Sequence, residues 1–161
     1  MKEKLTNKGK AFLALLIVVV GVLTGQFVLD EENGYSNSGT QQGAVIERDG
    51  TYTSKEEVAA YINEYQELPS NFITKDEAEE LGWVSKEGNL DEVAPGMSIG
   101  GDYFGNYEGN LPEKNGRDYY ECDINYDGGY RGEESIIYSD DGLIYYTDDH
   151  YETFELLYGE E

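Results

Sequence analysis

Tyr119-Tyr120-Glu121-Cys122-Asp123-Ile124-Asn125-Tyr126 is the stretch on which the fold of this chain turns. From Glu121 onward it alternates. Cys122, Ile124 and Tyr126 fall on one face of an extended strand, and Glu121, Asp123 and Asn125 on the other. Working outward, Ser98-Ile99-Gly100-Gly101, Ser135 to Ser139 and Leu143 to Thr147 read as further strands. Asp140-Asp141-Gly142 reads as a hairpin turn between the last two. Upstream the period changes. Ser54 with Glu57 and Thr74 with Glu77 have capping-box spacing, each opening a helix. Val58, Tyr61, Ile62 and Tyr65 recur at helical intervals in the first; Ala78 and Leu81 are apolar in the second, which Gly82 stops. Pro69 separates them, and a shorter helical turn over Asn89 to Ala94 ends at Pro95-Gly96. Helices first and strands after predict an α+β domain, with N-terminal helices packed on a C-terminal antiparallel sheet.

Charge sets the next constraint. The chain has 34 acidic and 11 basic residues among 161, a net charge of −23. Lys2, Lys4, Lys8 and Lys10 precede the apolar run from Ala11 to Leu29, leaving 33 acids and 7 bases, or −26, over residues 30–161. Such a charge repels nucleic acid at long range. Residues 1–29 have the shape of a signal peptide, and the run is also long enough for an uncleaved signal anchor. Lysines ahead of it keep that end cytoplasmic, so the remainder is expected outside, secreted or tethered to the membrane by this segment alone. The polar, glycine-rich residues 30–48 read as a flexible linker, and residues 49–161 as the folded domain. Cys122 is the single cysteine, which excludes an internal disulfide, and one histidine beside it excludes a His/Cys cluster for a transition metal. Cys122 and Trp83 are expected in the core, and Arg117 in a structural ion pair.

A family resemblance follows from ordered short matches. Leu68-Pro69, Asn71-Phe72-Ile73-Thr74-Lys75, Leu81-Gly82-Trp83-Val84, Gly88-Asn89-Leu90 and Val93-Ala94-Pro95-Gly96 are similar to the N-terminal half of the barnase family of small secreted bacterial ribonucleases. Ser98-Ile99-Gly100-Gly101-Asp102, Glu108-Gly109, Leu111-Pro112, Asp123-Ile124-Asn125-Tyr126 and Asp148-Asp149-His150-Tyr151 continue the likeness, which spans roughly residues 49–158. The resemblance implies metal-independent, cofactor-free cleavage of single-stranded RNA after guanosine through a 2′,3′-cyclic phosphate. It casts Glu121 as the general base, His150 as the general acid, and Arg131 and Lys75 as phosphate contacts. Asn106 and Glu108 fall in the loop that binds guanine, and Tyr151 matches an aromatic beside the nucleotide. It also implies a monomer and a barstar-like protein inhibitor. The chemistry independently wants these types, since a metal-free phosphodiester cleavage needs a base, an acid, and positive charge where negative charge accumulates.

Two departures stand out. Ser135 occupies the place where the family usually has a second arginine at the phosphate, and Tyr107 that of an arginine in the guanine loop. A competing pattern overlaps the site. Asp123, Asn125, Asp127 and Glu134 fall at positions 1, 3, 5 and 12 of an EF-hand-like calcium loop, with Gly128 at position 6. The competing reading is therefore a non-catalytic protein of the same fold at the cell surface, binding a protein partner or calcium. The charge favours it, and the Glu121/His150 pair favours the enzyme.

Overall fold

Ser54 and Thr74 cap their helices as their spacing predicts. In the computed structural model, which describes residues 45–161, helix α1 runs Lys55–Tyr65 and the Ser54 hydroxyl accepts from the Glu57 amide. Its buried residues Val58, Ala59, Tyr61 and Ile62 form one stripe, and Gln66 ends it in the left-handed region. A two-residue strand, β1 (Phe72–Ile73), precedes helix α2 (Lys75–Glu80), whose Thr74/Glu77 capping box is complete. Alanine 78 is buried, but Leu81 is 56% exposed, against expectation. The helix stops at Glu80, and the turn at Gly82 (φ +100°) sends Trp83, not Leu81, back into the core. A 3-10 turn (Ser85–Glu87) and helix α3 (Leu90–Val93) complete the helical part. The leader, and the linker as far as residue 44, lie outside the described residues. Close to the start of the described chain, the carbonyls of Ile46 and Arg48 accept from the hydroxyls of Tyr65 and Tyr61.

Six strands form one sheet in chain order, β1-β2-β3-β4-β5-β6, antiparallel except for β1 beside β2. Their remaining bounds are β2 Ser98–Phe104, β3 Tyr119–Asp123, β4 Ser135–Ser139, β5 Ile144–Thr147 and β6 Glu155–Tyr158. The hairpin at Asp140-Asp141-Gly142 is present, with Gly142 at φ +101° and its amide bonded to the Ser139 carbonyl. Three results differ from the sequence reading. Strand β2 continues three residues past Gly101 through a bulge, which the glycine pair hides from alternation. Strand β3 starts earlier and ends at Asp123, because Asn125 turns left-handed (φ 55°) and donates to Thr53. Strands β1 and β6 had no alternating signature.

Both faces of the sheet are covered. Cys122, Ile124, Ile136 and Ile144 pack against Val58, Ala59 and Ile62 of α1. Trp83, Ala78, Leu90, Ala94 and Ile99 form a second cluster around α2 and α3. Leu111, Tyr119, Ile137, Leu143 and Tyr145 form a third, with Phe104, Tyr151 and Phe154 packed onto it. At Gly100 a Cβ would lie 2.5 Å from that of Cys122, so only glycine lets β2 cross there. The sequence assigned Glu121 and Asp123 to a polar face, yet they are only 8% and 4% exposed. Two carboxylates under an aromatic cover need partners.

Candidate active site

Those partners come from three separate segments. Glu121 sits mid-strand in β3, paired across the sheet with Asp102 of β2 and Ile137 of β4. Lys75 is the first residue of α2; its backbone amide donates to the Asp102 carboxylate and its ammonium to Glu121 Oε1. Arg131 comes from the β3–β4 connection and closes on Asp123 through Nε (2.5 Å) and Nη2 (2.7 Å). His150 and Tyr151 follow β5. Glu121, Lys75, Arg131, His150 and Tyr151 line a cleft of about 390 Å³, together with Ser85, Tyr130, Gly132 and Glu133.

The tyrosine hydroxyl donates to Glu121 Oε2 at 2.9 Å, so each oxygen of that carboxylate holds a donor. Burial pushes the Tyr151 phenol up to about 12, so it keeps its proton through neutral pH and enters this bond as the donor. Hydrogen bonding to Asp123 raises the Arg131 guanidinium further above its ordinary value. Its Nη1 has no protein partner among the described residues. The sequence reading cast Lys75 and Arg131 as phosphate contacts. Each of these cations is paired with a carboxylate, Lys75 with Glu121 and Arg131 with Asp123, and Glu133 also lines the cleft.

His150 is exposed and left-handed (φ 58°), as is Tyr151 (φ 73°). Two consecutive non-glycine residues in that region need support from their surroundings. Asp149 supplies it. Its carboxylate accepts from Thr147 Oγ1, from the amides of Glu152 and Thr153, and from Thr153 Oγ1, while Thr147 Oγ1 accepts from the Tyr151 amide. These bonds, from Thr153 above all, hold the Asp149 carboxyl below its ordinary value.

Asn106 and Glu108 lie outside the lining of this cleft. Asn106 is left-handed (φ 43°), and its amide bridges the loop, donating to the Leu111 carbonyl and accepting from the Leu111 amide at 3.0 Å each. Its side chain therefore shapes the loop. Glu108 and Tyr107 are exposed at the tip, Tyr107 at 90%. A larger cavity of about 480 Å³ adjoins the loop, with Lys114 and Arg117 in its wall. Both close on Asp141, so the bigger hollow has its charge spent. Arg117 is the structural ion pair the sequence reading expected.

The calcium-loop pattern is used up internally. Asp123 is held by Arg131, while Glu134 accepts from Tyr146 at 2.6 Å and from Asn125. The flanks are strands, and no three His, Cys, Asp or Glu side chains gather to hold an ion among the described residues. The sequence reading missed the supporting roles of Asp102, Asp123 and Asp149. Only Asp149 left a local signal, a Thr-x-Asp-x-x-x-Thr spacing suited to side-chain turns.

Comparison with known proteins bears on what this cleft does. A family model described as ribonuclease matches residues 55–158. The chain is 57% identical over 97 residues to a ribonuclease from Heyndrickxia coagulans, a match covering 60% of this chain and 89% of that protein. It is likewise 57% identical over 97 residues to ribonucleases from Bacillus intermedius and Bacillus pumilus, covering 60% of this chain and 60% of each.

Proposed function

This chain belongs to the barnase-like ribonuclease family and is an RNA-cleaving enzyme, and from that premise we propose a metal-independent endoribonuclease that cuts single-stranded RNA after guanosine. The observation that carries the reading is the convergence of Glu121, His150, Lys75 and Arg131, from four segments, on one cleft. Glu121 takes the proton of the 2′-hydroxyl as its oxygen attacks phosphorus. His150 protonates the departing 5′-oxygen as the P–O5′ bond breaks. Lys75 and Arg131 Nη1 meet the charge that builds on the phosphoryl oxygens. Hydrolysis of the resulting 2′,3′-cyclic phosphate reverses the roles: His150 takes a proton from water and Glu121 returns one to the 2′-oxygen. The loop that Asn106 closes supports guanine recognition, because it displays Glu108, an acceptor matching the donor edge of guanine.

The lysine-led apolar segment supports action outside the cytoplasm, secreted or tethered, which fractionation of expressing cells checks. The decisive assay is cleavage of RNA by the full chain in excess EDTA, with 2′,3′-cyclic phosphate ends after G. Activity that vanishes in chelator and returns with calcium would refute the metal-free reading.

A further inference from the structure

Lys75 has two claims on it. In the free protein its ammonium holds Glu121 Oε1; in the proposed reaction it meets the phosphate. A lysine is a flexible point charge, and this side chain is 36% exposed, so it is free to turn from one to the other. When it turns, Glu121 loses that donor. A carboxylate swings easily about its last torsion, and a base that swings transfers protons poorly.

The donor that remains is Tyr151. Its hydroxyl lies 2.9 Å from Oε2, and its position is fixed at every level. The backbone is pinned through the Thr147 hydroxyl, and the ring packs on Phe104 (5.4 Å between centroids) and edge-on to His150 (5.2 Å). Behind it stands Ser135, 2% exposed on β4 between Asp123 and Thr147, with Oγ 3.4 Å from the phenol oxygen. The phenol proton goes to the carboxylate, so Ser135 is left to donate to Tyr151. The three groups form one directed chain, Ser135 to Tyr151 to Glu121. Its far end is the position where a serine replaces a cation.

We propose that Tyr151 is a positioning residue for the general base: it fixes the Glu121 carboxylate plane throughout the reaction, including while Lys75 serves the phosphate. The inference rests on Glu121 being the base. Its test is a double-mutant cycle on the full chain, with a guanosine-containing dinucleoside phosphate as substrate. Tyr151→Phe keeps the ring packing and removes only the hydroxyl. It lowers kcat about tenfold with KM nearly unchanged, the size expected for one hydrogen bond to a charged group. In the Glu121→Gln background the same substitution costs nothing further, because the group it positions is gone. Thermal unfolding and near-ultraviolet circular dichroism establish that each variant is folded. A rise in KM at constant kcat would make Tyr151 a substrate contact and overturn the proposal, as would additive losses in the cycle. If Glu121→Gln alone keeps wild-type activity, the base assignment itself fails, and that outcome is separate from either of the others.

Discussion

The Glu121/His150 cleft and the Lys114/Arg117/Asp141 corner are built from the same materials. Each has cations closed on carboxylates next to a hollow, and the corner has the larger hollow. They differ in what is left over. At the corner Asp141 accepts from Arg117 Nε and Nη2, from Lys114 and from Ser139, while Arg117 Nη1 donates to the Pro112 carbonyl. In the cleft Arg131 Nη1 has no protein partner among the described residues and His150 is exposed on a strained turn, while Lys75, like Lys114, holds one carboxylate. A cation whose donors are all engaged fixes loops together. One with donors in reserve can take a phosphate. Among the described residues every base except Lys86 is paired, so between these two arginines the unused donor, rather than the charge, marks the candidate phosphate contact.

The largest expected effects test the catalytic half of this contrast. Glu121→Ala and His150→Ala each reduce transesterification at least about a hundredfold, the low end for general acid–base groups. Near-wild-type turnover in His150→Ala would remove it as the acid. Arg131→Ala breaks the contrast more subtly. Besides losing activity, it strands the buried Asp123 carboxylate, so unfolding is easier by about 1–3 kcal/mol. Denaturant titration measures this, and an unchanged midpoint would show Asp123 to be solvated.

Arg117→Ala is the mirror experiment: melting falls by several degrees while turnover per folded molecule stays near wild type. Loss of turnover at full stability would place the corner in the RNA path. pH sharpens the point. Arg117 first, then Lys114 and Ser139, hold the Asp141 carboxyl well below its usual range. A depressed carboxyl contributes stability above its unfolded value, about 3.9, and loses it as pH falls through the folded one. The stability gap between wild type and Asp141→Asn should therefore be full near neutrality and narrow only below about pH 4. A gap that closes between pH 7 and 5 would exclude this pair as its source.

The smallest effect concerns salt. With −26 over residues 30–161, repulsion of RNA opposes the contacts made by Lys75 and Arg131. Salt screens the long-range term first, over roughly 8 Å at physiological strength. Initial rates should be flat or rise from low to moderate salt, then fall. A steep decline from the lowest salt, as for a basic nuclease, would show that the local contacts dominate.

Much of this molecule is legible before folding. The Ser54 and Thr74 caps and the Asp140–Gly142 hairpin turn are local events governed by neighbours within four residues, so their letters are enough. The short catalytic motifs, carried by family resemblance, named Glu121, Lys75, Arg131, His150 and Tyr151, and the fold brings those five side chains to one cleft. Tertiary structure alone decided which charges are spent. Asp123 and Arg131, Lys114 and Asp141, and Tyr151 and Glu121 are 8, 27 and 30 residues apart. A pairing across such distances leaves no period in the sequence. Strands β1 and β6 were illegible for a related reason: a two-residue strand and an edge strand owe their conformation to the neighbour they pair with. Sequence named the candidate reactive groups because a family's motifs keep their residue types in order along the chain. Which of them keep a free donor depends on desolvation and distance, and those exist only in the folded chain.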